Sequence, residues 1–240
     1  MSLHPPKPIF LFGGRTRGRT ITHDPLLDAA FAASGVARPA VAYIGAASGD
    51  DHAFFMMLKQ RFISSGARSV TLAATVPPEA DIGTAREIIA DADVVFLSGG
   101  DVDAGMRVIR ERKLHAFLVD LHRRGTLFMG MSAGSIMLAK QWVRWPEDGG
   151  EDEAELFDCL GIAPVYCDMH AEEDGWEELK ALLKKLRHDA LGYGVPSGGG
   201  MIVHPDGEVE ALGLPVHRIH RTGATLHTLK PLAPARNTVR

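Results

Sequence analysis

Short apolar runs alternate with amphipathic stretches through the first 140 residues of this chain, and that alternation leaves few architectures open. Residues 9–12, 41–44, 70–72, 94–97 and 126–129 are rich in strand-forming apolar residues and too short for helices, so each is expected to be a strand. Between the first two, Asp24-Pro25 supplies an N-cap and a first-turn proline for a helix over 26–33 that Gly35 stops. Phe54, Phe55, Leu58, Phe62 and Ile63 recur at helical spacing ahead of Gly66. Further helices are expected over 102–112 and 114–124, the second ended by Gly125. Strands that are apolar throughout are buried on both faces, which requires helices on both sides of a parallel sheet. The expected fold is therefore α/β, a three-layer arrangement with a mostly parallel sheet in the middle. At 240 residues, 45% of them hydrophobic, the chain is long enough for residues 1–240 to form a single domain.

Three of these strands run into small-residue corners, Gly13-Gly14, Ser98-Gly99-Gly100 and Gly130-Met131-Ser132-Ala133-Gly134. In a parallel sheet all three corners fall on one edge, outside the carboxyl ends of the strands, where such folds bind ligands. The third corner has the G-x-S-x-G pattern of a nucleophile elbow. The glycines permit a tight strand-to-helix turn, the hydroxyl stands clear of the sheet, and amides at the helix start can receive an oxyanion. Residues 135–140 are expected to be that helix. The same pattern also arises as a plain small-residue turn in a chain with 26 glycines, so the motif gains weight from its setting.

Composition removes several classes. A net charge of −4 gives no global attraction to nucleic acid or to an anionic membrane. No apolar run approaches the ~20 residues of a membrane span, and residues 9–12 are too short for the core of a secretory signal. Cys159 and Cys167 are too few for a disulfide framework and are expected to be reduced, as in a cytoplasmic protein. Gly13-Gly14-Arg15 lacks dinucleotide-binding spacing, no G-K-[ST] occurs, and the His and Cys residues lack ligand spacing. No cofactor and no metal are expected. The oligomeric state stays open, a homodimer being one reading.

Residues 201–204 and 208–212 flank Pro205-Asp206-Gly207, a hairpin signal, and 231–240 are expected to be loosely held. Between Glu147 and Glu178 there are thirteen acids and no Lys or Arg. That stretch reads either as a solvated acidic face or as a rim that draws cationic substrates toward the site. A serine nucleophile needs a base within hydrogen-bond reach. His115, His122, His217 and His220 read as surface residues, and His204 belongs to the hairpin end. His170 follows the apolar run 162–166, which reads as a further strand, so it is the leading base.

These blocks together resemble a known family. Val95-Phe96-Leu97-Ser98-Gly99-Gly100-Asp101, then Gly130-Met131-Ser132-Ala133-Gly134-Ser135, then Leu160-Gly161-Ile162 leading to Asp168-Met169-His170, look like the serine peptidase family of aspartyl dipeptidases (dipeptidase E) and cyanophycinases. Leu191-Gly192-Tyr193-Gly194-Val195-Pro196 extends the likeness, which covers residues 8–213. The resemblance implies a fold like the class I glutamine amidotransferases, with serine in place of cysteine. It implies Ser132 as nucleophile, His170 as general base, and the amides of Gly100 and Ala133 as oxyanion hole. The substrate it implies is a short, Asp-containing peptide.

Two departures from the resemblance are visible. Relatives usually carry an acid after the Gly194-Val195-Pro196 block, and the matching third-member position here is Ser197. Glu147 and Asp148 are the candidates for an alternative acid downstream of the nucleophile. Asp168 and Glu172 are sequence neighbours of His170 but are set aside, because direct neighbours on a strand point to opposite faces or lie a turn away. Relatives acting on aspartyl substrates also tend to have basic or amide groups where this chain reads Ala171-Glu172-Glu173-Asp174. Arg144, Arg15, Arg17 and Arg19 are either binders of a substrate carboxylate or solvated surface charges.

The leading expectation is an enzyme, a serine peptidase. Ser197 favours its main rival, a non-catalytic member of the same fold that binds a metabolite or a protein. An α/β-hydrolase would need an acid such as Asp189 and a late histidine, His204 or His217. A glutamine amidotransferase would need cysteine at position 132.

Overall fold

Alternate side chains of the central strands enter two different cores, and this division builds the three layers. The computed structural model describes residues 5–14, 24–146 and 153–235. In chain order the first part contains β1 (Ile9–Phe12), α1 (Pro25–Ala33), β2 (Ala40–Ile44), α2 (His52–Ser64) and β3 (Ser69–Leu72). It continues with α3 (Ile82–Ala90), β4 (Val94–Leu97), α4 (Val102–Glu111), α5 (His115–Arg123), β5 (Leu127–Met131) and α6 (Ala133–Leu138). The five strands lie in the order β1-β5-β4-β2-β3, all parallel.

Phe10, Phe12, Val41, Tyr43, Val94 and Phe96 pack against Phe31 of α1 and Phe55, Leu58 and Phe62 of α2. On the opposite face Ile9, Leu11, Ala42, Ile44, Val95 and Leu97 meet apolar residues of α3, α4, α5 and α6. Side chains that alternate by two along a strand cannot share one face, so both faces are apolar and both are covered. Burial of each large residue on these faces contributes roughly 1.5–3 kcal/mol. The expected fold class is what forms.

Asp24 caps α1, accepting the Leu26 amide at 3.1 Å with Pro25 in the first turn, as its sequence indicates. In α2 the buried stripe is Phe55, Leu58 and Phe62, whereas Ile63 is exposed and Phe54 is half-buried beside the cavity described below. The sequence reading did not include α3. Its N-cap Asp81 accepts the amides of Gly83 and Thr84, and Ala85 and Ile89 are its buried residues. With Gly83 and Thr84 in the first turn the propensity signal is weak, and the cap supplies what propensity lacks.

The remaining elements are β6 (Gln141–Arg144), β7 (Glu155–Asp158), β8 (Tyr166–Met169), α7 (Glu177–Lys185) and β9 (Ala190–Val195). They are followed by β10 (Gly200–Val203), β11 (Val209–Leu212), β12 (Val216–Thr222) and β13 (Thr225–Leu232). The expected hairpin is β10–β11, and β10 extends the central sheet antiparallel to β1. A second sheet, not foreseen, has the order β13-β12-β9-β8, with β8 and β9 parallel. Helix α7 covers it through Leu179, Leu182 and Leu183. A Cβ on Gly192 would stand 2.8 Å from Leu179, and one on Gly194 would stand 2.5 Å from Trp176, so only glycine lets α7 and Trp176 lie flat on β9.

Two boundaries in the C-terminal part differ from expectation. The strand placed at 162–166 lies at Tyr166–Met169. The Ala163 amide donates to Leu138 O at 2.8 Å, which holds the preceding residues against the end of α6 instead of in a strand. The tail expected to be loose from residue 231 is in the sheet as far as Leu232, paired with Val216, and Pro234 bridges Ala211. Among the described residues no helix is long and apolar enough to cross a membrane.

Candidate active site

Ser132 sits between β5 and α6 with φ 53° and ψ −122°, a conformation that costs a non-glycine residue about 1–3 kcal/mol. Its surroundings hold it there. The Ser132 amide donates to Phe12 O at 2.9 Å, and Ser132 O accepts the amides of Ser135 (2.9 Å) and Ile136 (3.2 Å). Helix α6 therefore begins directly after Ser132 and ends at Leu138, earlier at both ends than the expected 135–140. The motif glycines have a steric reason. A Cβ on Gly130 would lie 2.6 Å from Gly134, and one on Gly134 would lie 2.1 Å from Leu97 O. Helix α6 packs against the end of β4 that closely.

The β4 corner lies beside the serine. Gly99 is close enough that an added Cβ would stand 3.3 Å from Ser132 Cβ. Gly100, at φ 142°, leaves no room for a side chain against Ala47 O, which also accepts the Asp101 amide at 2.8 Å. His170 follows β8 with φ 47°, and its amide donates to Val195 O at 2.8 Å. Its ring reaches the serine: His170 Nε2 and Ser132 Oγ share a hydrogen bond of 2.7 Å.

Gly14, Gly100, Ser132, His170 and Ser197 line one cavity of about 1080 Å³, so the three corners do converge on one edge. Its far wall is the apolar side of α2, with Phe54, Met57 and Leu58. Asp51, Glu172 and Glu173 make its rim acidic, while Arg61, also in the lining, is paired with Asp24.

The sequence profile of peptidase family S51 matches residues 9–211. The chain belongs to peptidase family S51. The expected family is thereby borne out. Peptidase E of Citrobacter koseri is 38% identical over 82 residues, which are 34% of this chain and 35% of that protein. Peptidase E of Escherichia coli (strain K12 / DH10B) is 33% identical over 82 residues, with the same coverage of each chain. The matched segment thus spans about a third of the length of these curated relatives. In fold, the S51 chain is similar to a peptidase from an acI-B1 Actinobacterium (TM-score 0.70, 15% identity, 95% of this chain and 98% of that one). It is also similar to a putative peptidase E protein from Listeria monocytogenes EGD-e (TM-score 0.60, 14% identity, 86% and 98%).

The other histidines weighed as a base are engaged elsewhere. His115 and His122 bond to Leu160 O and Lys7 O, and burial lowers the His122 pKa. His204 pairs with Glu210, His217 stacks on Trp176 at an interplanar angle of 14°, and His220 contacts Thr222. Asp189 accepts the Gly223 amide, so the residues an α/β-hydrolase would need do not gather at Ser132. Arg144 pairs with Asp103 and Glu155 and lies over Phe157, apart from the cavity lining. Arg15, Arg17, Arg19, Glu147 and Asp148 lie outside the described residues.

Sequence reasoning passed over Glu172, yet the structure brings it to the cavity. Its Oε1 accepts the Ser197 amide at 3.1 Å. Burial opposes its charge, but hydrogen bonds from the Ser197 side chain and amide and from its own amide, with the attraction of His170, outweigh burial and hold its pKa below the usual value. The strand rule used to set it aside does not apply, because β8 ends at Met169 and the left-handed His170 redirects the chain into a turn. Of the acids of this stretch that lie among the described residues, Glu172 and Glu173 reach the cavity. Glu178 instead accepts the Trp142 indole N–H at 2.9 Å, and Glu155 and Asp158 are exposed on β7.

Asp168 has a different fate. Burial, with the negative charges of Glu178 and Asp174, raises its carboxyl from 3.8 to about 7, despite hydrogen bonds from the amides of Met169 and Leu179. The folded protein therefore holds this proton more tightly than the unfolded chain. The resulting stabilisation is fully present below about pH 4 and is lost as pH rises through about 7, some 4 kcal/mol in all by linkage. Asp168→Asn is expected to match the wild type in urea unfolding near pH 4 and to exceed its stability by a few kcal/mol at pH 8. A difference that does not vary with pH would show that the buried charge is not the source.

Proposed function

We propose that this S51 chain is a serine peptidase that cleaves short peptides, Asp-containing ones among them, through an acyl-enzyme on Ser132. The observation that carries the reading is the 2.7 Å hydrogen bond between Ser132 Oγ and His170 Nε2 at a strained strand-to-helix turn. Strain of this kind persists where the surroundings enforce it, and it holds the hydroxyl toward the cavity.

In this mechanism Ser132 Oγ attacks the peptide carbonyl carbon while its proton passes to His170 Nε2. The carbonyl oxygen becomes an oxyanion and accepts hydrogen bonds from the amides of Gly100 and Ala133. Removal of one such donor typically lowers the rate about 10²–10³-fold. Collapse breaks the C–N bond, and His170 gives its proton to the leaving amine. Water then adds to the ester as His170 takes a proton from it, and the C–Oγ bond breaks as His170 returns that proton to Oγ, releasing the acid and restoring Ser132.

A second reading, a binding protein on the same fold, is favoured by Ser197, an uncharged residue where the third member would stand. The two readings part on one measurement. Intact-mass analysis after treatment with a fluorophosphonate is expected to show a single adduct, mapped to Ser132. An unlabelled Ser132 would overturn the peptidase reading in favour of the binding protein. For a labelled protein, a dipeptide panel with Asp and non-Asp members then tests substrate class.

Its proposed compartment is the cytoplasm. Cys159 and Cys167 are free and buried, and burial raises the Cys159 thiol to about 12 and the Cys167 thiol well above its usual value. Thiolates are the reactive form, so native protein is expected to react with a maleimide at neither site until urea unfolds it. Rapid labelling of the native chain would contradict the burial.

A further inference from the structure

We propose that Glu172 is the positioning residue for His170, supplying, with Ser197 as its tether, the negative charge that a catalytic imidazole requires. The inference rests on the Ser132–His170 mechanism above. A histidine that takes a proton from serine becomes a cation in the transition state, and a third group must orient the ring and stabilise that charge. Ser197 can hold a ring by a hydrogen bond but carries no charge to offset imidazolium.

The geometry brings a carboxylate to the same cavity by a local detour of the chain. Met169 and Val195 are register partners in the parallel β8–β9 pair, and the His170 amide donates to Val195 O. The chain leaving β9 therefore passes His170 and arrives at Ser197 two residues later. On the other side, the left-handed turn at His170 sends residues 171–174 back toward the same place. The Glu172 carboxylate then closes the loop by accepting the Ser197 amide at 3.1 Å, and its charge attracts His170. Glu172, Ser197, His170 and Ser132 line one continuous cavity. Peptide bound over this cavity excludes water, which strengthens the Glu172–His170 attraction at the moment of proton transfer.

Other charges face the same space. Glu173 follows Glu172 in the rim, Asp51 caps α2 across the cavity, and Arg61 of α2 is paired with Asp24. Asp168, on β8, is buried, its Oδ1 accepting the Met169 amide, with the charge of Glu178 acting on it. Glu172 is distinguished among these acids by its bond to the residue that flanks His170.

The test follows the rate of Ser132 phosphonylation by a fluorophosphonate against pH. Wild-type labelling establishes that the nucleophile is activated; without it the Ser132–His170 reading fails before Glu172 is at issue. Given labelling, Glu172→Gln is expected to lower the plateau rate about tenfold. It is also expected to move the acidic limb of the rate profile to lower pH, because the cationic transition state loses its stabilising neighbour. Returning an acid at the tether position, Ser197→Glu in the Glu172→Gln background, is expected to restore much of the rate and bring the limb back. A Glu172→Gln profile that coincides with wild type would overturn the proposal. So would Glu173→Gln moving the limb as far, since that would assign the effect to the general field of the rim.

Discussion

Ser132→Ala is expected to lower kcat/KM for any cleaved peptide by at least about 10⁴-fold while the protein stays folded. The size of the effect follows from what the residue does. Without Oγ no acyl-enzyme forms, and what is left is binding and the oxyanion hole acting on an unassisted water. The fold should survive because the strained backbone at residue 132 is held by the amide bond to Phe12 O and by the start of α6, neither of which uses the side chain. Loss of the single side-chain bond to His170 changes stability by about 1 kcal/mol. His170→Ala is expected to fall to a similar level, and the double variant no further, because the two residues act as one unit. Peptide turnover by each purified variant, checked by urea unfolding for intact structure, decides the matter. Ser132→Ala retaining wild-type turnover would remove serine from the mechanism.

Gly134→Ala is expected to have the largest effect on stability, a loss of about 3 kcal/mol or more, together with loss of Ser132 labelling. The added methyl would stand 2.1 Å from Leu97 O and 2.7 Å from Ser98 O. Both obstacles are backbone atoms of the central sheet, which cannot turn aside as a side chain can. Relief requires α6 to lift from β4, and that motion carries Ser132 and the Ala133 amide out of place. Gly83→Ala is the contrast. Gly83 is exposed in α3, and its added Cβ would meet only the capping Asp81 carboxylate, at 3.1 Å, which a shift of a few tenths of an ångström relieves. There the helix propensity of alanine, about 0.5–1 kcal/mol, offsets that shift, and the net change in stability should be small. Urea midpoints of the two variants measure the difference, and similar midpoints would refute the steric account of the elbow.

What could be read early follows from the range of the signals. Strands β1, β2, β4 and β5 and helices α1, α2, α4 and α5 announce themselves in local periodicity, capping residues and stop glycines, which act over a few residues. The edge where Gly14, Gly100 and Ser132 meet follows from parallel order alone, since every corner at a carboxyl end lies on the same side. His170 was found by the same logic although its strand was placed four residues early, because either boundary leaves it at a strand end. Helices α3 and α7 and strands β6 and β7 escaped notice. Gly83 and Thr84 weaken the propensity of α3, which its Asp81 cap stabilises, and β6 and β7 are four-residue strands that pair with each other.

Ser132 as a candidate nucleophile, His170 as its candidate base and the layered α/β architecture were thus determined by the sequence itself, through residue types at fixed short spacings. Tertiary structure decided which acids reach the cavity beside the histidine. Glu172 approaches Ser197 across twenty-five positions because β8 and β9 pair in parallel and His170 turns left-handed. Both conditions depend on contacts between segments distant in the chain. Asp168, only two positions before His170, is instead buried, and burial, not sequence proximity, governs its charge.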